Sequence, residues 1–129
     1  MIARLTESLD FHSQALMLRA ERQRLIAGNI ANADTPGYQA RDFDFGAALR
    51  AATGGADGIA AGVMQAGGRL APTLRYAVPS QTSLDNNTVD MDRERSAFAD
   101  NAVKYESTLR FINGSVRTML DAMKSHHQA

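Results

Sequence analysis

The chain of 129 residues contains no cysteine. Disulfides, thiolate metal sites and cysteine nucleophiles are therefore excluded. It also lacks a charge excess, since 14 Lys and Arg balance 14 Asp and Glu. A dedicated nucleic-acid binder draws its affinity from basic surplus, so composition argues against that class. No run approaches the roughly 20 apolar residues of a membrane span. A cleaved signal peptide is not expected, because Arg4, Glu7 and Asp10 interrupt the leading apolar residues. The chain then suits one small domain, cytoplasmic or exported by a route that needs no cleaved signal.

Catalytic signatures are missing too. No serine has a Gly-x-Ser-x-Gly setting. The glycine-rich stretch is not followed by Gly-Lys-Ser/Thr, so it is not a phosphate-binding loop. His12 has no second ligand three or four residues on, and His126 and His127 are adjacent rather than spaced as structural metal ligands are. Asp42 and Asp44 read as surface charges, since nothing around them suggests a pocket. No enzyme, metal or cofactor is expected.

What is present is patterned apolar sequence at both ends. Over residues 90–125, Phe98, Ala102, Tyr105, Leu109, Ile112, Val116, Met119 and Met123 alternate steps of four and three. That average of 3.5 is a coiled-coil seam on one helix face. Asp100 precedes Lys104 and Glu106 precedes Arg110 by four, the favoured order of a helical ion pair. Asp90, Asp92 and Glu94 at the start complement the helix dipole.

Residues 1–32 predict a second long helix with two stripes. One holds Ile2, Leu5, Leu9, Leu16, Ile26 and Ile30; the other holds Phe11, Ala15, Leu18 and Leu25. A surface helix needs one stripe, so two imply two packing partners, unless they form a single wide face in a small bundle. His12 and Gln23 interrupt the first stripe and need hydrogen-bond partners if buried. Gly28 and Gly114 sit within the two helices, as tolerated defects or as points of close helix approach.

Between the helices, residues 33–89 are irregular. Thr35-Pro36-Gly37-Tyr38 predicts a type II turn, with Pro fixing φ and Gly permitting positive φ. Residues 39–45 could extend with Phe43 and Phe45 on one side, residues 47–52 could make a helical turn or two, and residues 73–78 could form an edge strand. Six glycines between Gly54 and Gly68 favour a mobile loop. Asn86-Asn87 suits a residue at positive φ. The fold class is mainly α: long N- and C-terminal helices paired as an α-hairpin or coiled coil, around a Gly/Ala-rich middle with little β. Such a hairpin covers one face of each helix, which leaves the isolated chain marginal and its helices dependent on neighbours.

Two blocks carry a resemblance. The first is Ile26-Ala27-Gly28-Asn29-Ile30-Ala31-Asn32-Ala33-Asp34-Thr35-Pro36-Gly37-Tyr38. The second is Asn87-Thr88-Val89-Asp90-Met91-Asp92, running into Phe98, Asn101, Tyr105 and Phe111. Together they resemble the axial proteins of the bacterial flagellum, which form the rod, hook and hook-associated segments. The short length and the Gln39-Ala40-Arg41-Asp42-Phe43 continuation point to a proximal rod member. Asn86 stands where such proteins are expected to carry glycine.

The resemblance implies a non-enzymatic subunit that assembles helically and transmits torque. It implies export without a cleaved signal through the flagellar type III apparatus, to the periplasmic rod of the basal body. Implied partners are copies of itself, other rod proteins such as FlgC, the rod–ring adapter FliE and the membrane ring. The implied assembly interface is the apolar residues of the two helices: Leu5, Leu9, Phe11, Leu16, Leu18, Leu25, Ile26, Ile30, Phe98, Tyr105, Leu109, Ile112, Val116, Met119 and Met123. Asn29, Asn32, Thr35, Pro36, Gly37 and Tyr38 form the family turn, which sets how the middle leaves the helix pair. The alternative is a cytoplasmic coiled-coil adapter or export chaperone, which shares the helices but has no use for that turn.

Overall fold

The computed structural model describes residues 2–54, 62–64, 70–72, 74–76 and 84–127. Helix α1 spans Ile2–Ala31, strand β1 Arg41–Phe43 and helix α2 Phe45–Ala52. Strands β2 Gly62–Met64, β3 Leu70–Pro72 and β4 Leu74–Tyr76 follow, and helix α3 runs over Met91–His127. The predicted glycine-rich loop is thus interrupted by a β2–β3 hairpin, while residues 55–61 and 65–69 of it lie outside the described residues.

Helices α1 and α3 form an antiparallel hairpin. Gln23 faces Asn101 and His12 faces Phe111, so the chain directions oppose. At the far end Leu5 lies beside Gly114 and Thr118, so the last part of α3 runs past the start of α1. The two polar residues of the first stripe are therefore accommodated. Gln23 accepts a hydrogen bond, and the His12 ring stacks on Phe111 at 5.4 Å.

The face that α3 turns to α1 takes in only one edge of the predicted seam. It carries Glu94, Asn101, Tyr105, Thr108, Ile112 and Met119, all buried or half-buried. At 100° per residue this face is rotated by roughly 40° from the seam centre. Phe98, Leu109, Val116 and Met123, half of the expected seam, are exposed. Periodicity reports a wide apolar band, and α1 covers only one edge of it.

The second stripe of α1 has an intramolecular partner. Leu18 and Leu25 are buried with Phe43 of β1 and Ala48 of α2, and Phe45, Leu49 and Ala52 close around them. This corrects the expectation that the stripe waits for a neighbouring molecule: only Phe11, beyond the reach of α2, stays exposed. Helix α2 begins where Asp44 caps it, accepting from the Ala47 amide at 3.1 Å. That bond holds the Asp44 carboxyl below its ordinary pKa. Strand β1 pairs antiparallel with β4, setting Asp42 opposite Arg75. Asp42 also accepts from Arg22 of α1 at 3.3 and 3.2 Å, which ties the strand to the helix. Residues 39–45 therefore divide: Phe43 ends a strand and Phe45 starts a helix, and both rings point into one cluster.

Candidate functional site: the clasp and the open flank

Helix α1 ends in a run of residues that prefer local hydrogen bonds to helix, Asn29, Asn32 and Asp34. Asn32 bends its amide back to the Gly28 carbonyl at 2.8 Å, and the Thr35 hydroxyl donates to Asn32 Oδ1. Residues 35–38 then make the expected turn. The Tyr38 amide donates to the Thr35 carbonyl at 3.2 Å, and Gly37 has φ +72°. A hydrogen-bonded turn with positive φ at its third residue is type II.

Asn29 is 1% exposed and holds the chain after the turn. Its Nδ2 donates to the Arg41 carbonyl, while its Oδ1 accepts from the Arg41 amide and the Tyr38 hydroxyl. The Tyr38 oxygen passes 3.9 Å from where a Cβ on Gly28 would stand, so the turn folds back over that glycine. Gly114 has open space instead, which does not support close approach of another helix within the chain.

The second block closes on the first. Asn87 Nδ2 lies 2.8–2.9 Å from three carbonyl oxygens, those of Asn32, Ala33 and Thr35. All three belong to the turns that follow α1, which ends at Ala31. A side chain more than fifty residues away thus ties down the segment in which the helix ends. Thr88 adds two bonds, its hydroxyl accepting from the Ala40 amide and its own amide donating to the Tyr38 carbonyl. The Gly37 amide donates to the Asp85 carbonyl at 2.7 Å. Asn86 takes positive φ, +58°, to turn the chain into this position. We call this lattice of backbone and side-chain bonds the clasp. The turn residues were legible in the sequence; that their partners are Asn87 and Thr88 was not, because no local pattern links segments so far apart.

Glu94, in the first turn of α3, is buried beside the clasp. Burial pushes its carboxyl above the ordinary value of 4.5, and Asp42 and Asp90 add to this, against Asn29 and Arg93. The folded chain therefore holds this proton more tightly than the unfolded one. Its contribution is fully present below the ordinary glutamate value and is lost as pH rises through the folded one. Glu94→Gln is expected to raise the melting temperature at pH 7 and leave it nearly unchanged at pH 4. Equal shifts at both pH values would refute the assignment.

Beyond the clasp the hairpin is thinner. Its apolar flank carries Phe98, Leu109, Val116, Leu120 and Met123 on α3, all exposed. On the other side an open groove of about 500 Å³ is lined by Leu5, Arg110, Phe111, Gly114, Ser115 and Thr118. Of the residues expected at an assembly interface, Leu18, Leu25 and Ile26 are buried inside the chain. Leu9, Leu16, Ile30, Tyr105, Ile112 and Met119 are half-buried. Leu5, Phe11, Phe98, Leu109, Val116 and Met123 remain exposed. Among the described residues no helix is long and apolar enough to cross a membrane.

Comparison with known proteins agrees with this geometry. The family described as flagella basal body rod protein matches residues 9–39, which cover most of α1 and the whole turn. The flagellar basal body rod protein FlgB of Proteus mirabilis strain HI4320 is 45% identical over 135 aligned positions, covering 96% of this chain and 98% of that protein. FlgB of Salmonella typhimurium strain LT2 is 46% identical over 96% of this chain and 98% of its own length. FlgB of Escherichia coli strain K12 is 43% identical over 97% of this chain and 99% of its own. With both sequence blocks joined in one clasp, and likeness of this degree along nearly its whole length, the chain belongs to the FlgB family of flagellar basal body rod proteins, structural components of the basal body.

Proposed function

We propose that this subunit sits in the proximal rod, assembles helically through the open flank of its hairpin, and passes torque from the membrane ring to the rest of the rod. The whole chain acts as one axial unit, with residues 1–32 and 90–125 as the assembling helices and residues 33–89 projecting from them. The observation that carries this reading is the half-used seam of α3. Five large apolar side chains from Phe98 to Met123 lie exposed along one helix flank, where a solitary domain would cover them. Contacts between unlike faces whose rotation does not close on itself generate a helical array, the arrangement a rod requires. The neighbours are copies of itself, other rod proteins such as FlgC, and the rod–ring adapter FliE. The chain reaches the periplasmic rod through the flagellar type III export apparatus, without a cleaved signal. The role is mechanical rather than catalytic.

The test separates folding from assembly. Val116→Glu combined with Leu120→Glu changes exposed side chains, so the stability of the hairpin should move by no more than about 0.5 kcal/mol per site. The double variant should still be exported, yet be absent from purified basal bodies, and the cells should not swim. Incorporation at the parent level would refute the proposed surface. Absence of the parent chain itself from basal bodies would refute the proposed role.

A further inference from the structure

The seam that joins α1 to α3 is ambiguous by itself. Apolar residues recur seven apart, as in Tyr105, Ile112 and Met119, so sliding α3 by seven residues sets apolar against apolar again. An unbroken helix carries the register set at its clasped end along its whole length, so the seam chooses for itself only while the clasp is open. In the third of the hairpin next to the clasp, Asn101 is 1% exposed, a polar side chain inside the helix interface. Its Nδ2 donates across that interface to the Arg19 carbonyl at 2.9 Å and to Gln23 Oε1 at 2.7 Å. Its Oδ1, like the buried Nε of Arg19, has no hydrogen-bond partner among the described residues. A half-satisfied buried amide costs stability, so packing does not account for it.

We infer that the Asn101–Gln23 pair is the register pin of the terminal hairpin. Gln23 stands seven residues after Leu16 and seven before Ile30. A slip of seven in either direction therefore sets Asn101 against Leu16 or Ile30 and leaves one N–H of its amide facing an apolar side chain. A backbone carbonyl such as that of Arg19 is present in every register, but only the native one adds a side-chain amide oxygen. The pair gives up stability for a single alignment of the two helices whenever the clasp is open, and so for one placement of the exposed flank on α3. A polar residue in an otherwise apolar helix seam acts this way in coiled coils.

The absence of cysteine makes the test clean. In the full chain carrying Asn87→Asp, which opens the clasp and serves as the parent here, with an excluded osmolyte added to favour burial, the pair His12→Cys and Phe111→Cys reports the native register, since those rings stack. Thr118 and Lys104 stand seven residues either side of Phe111. His12→Cys with Thr118→Cys, and His12→Cys with Lys104→Cys, therefore report the two slipped registers. The parent should cross-link only in the native pair. Asn101→Leu should raise the melting temperature and yet increase slipped cross-links by about tenfold, the weight of one stranded buried donor. Gln23→Leu should relax the register likewise. The exchange variant, Gln23→Asn with Asn101→Gln, should restore the native pair, which a packing role alone would not do. Asn101→Leu cross-linking solely in the native register would overturn the proposal, as would a parent that cross-links equally in all three.

Discussion

Asn87→Asp is expected to open the clasp and cost about 3 kcal/mol or more, because it turns a donor into a buried charge facing three carbonyl oxygens. The two side chains are nearly the same shape, so the change is one of hydrogen-bond sense rather than packing. Asn87→Ala should cost less, since it removes the donor without adding repulsion. Amide exchange at Gly37 and Thr88 reads the effect locally, because those amides bond the Asp85 and Tyr38 carbonyls across the clasp. Both should exchange at least about a hundredfold faster in the aspartate variant, by the usual tenfold per 1.4 kcal/mol. Unchanged exchange at both amides would show that Asn87 does not hold the turn. Because the flank proposed for assembly lies on the helix that the clasp positions, the same variant should fail to enter basal bodies.

Phe43→Ala is the second large effect, about 3–5 kcal/mol, the range for removing a buried aromatic ring. Phe43 is 4% exposed and is the residue through which the middle of the chain covers Leu18 and Leu25. A small domain has about 5–15 kcal/mol of total stability. The variant should therefore melt at much lower temperature, lose α2, and bare an apolar stripe on α1 that promotes aggregation. Phe45→Ala makes the comparison: that ring is half-buried and lies under the Arg19 guanidinium at 4.1 Å, so its removal should cost less. A Phe43→Ala melt within about 1 kcal/mol of the parent would mean that the cluster does not bind the middle of the chain to α1.

Local chemistry made much of this molecule legible. The type II turn follows from Pro36 and Gly37, and positive φ at residue 86 follows from the tolerance of asparagine for that region. The two long helices follow from apolar spacing, and the edge strand near residue 75 from the prolines around it. The likeness to flagellar rod proteins was carried by contiguous residues and could be read directly. What stayed hidden, beyond the pairing of the two long helices, was how distant segments meet. Asn87 and Thr88 were visible as a motif, but not as the partners of the turn. Asn101 lies just off the apolar seam, and Glu94 seven residues before it, so a periodicity of apolar residues does not register either.

By itself, then, the amino-acid order determined which segments are helical, where the first helix stops, which residue turns the chain, and which faces are apolar. These are properties of neighbours within a few residues, set by backbone sterics and short-range hydrogen bonding. The tertiary structure alone decided which apolar face meets which. It gave one stripe of α1 to Phe43 and α2, rotated α3 so that half its seam stays bare, and placed two asparagines where their amides lock helix end and helix register. An apolar side chain is indifferent to which apolar surface covers it, whereas an amide requires a matching group at one distance and direction. Three-dimensional placement, not pattern, therefore selects the pairing.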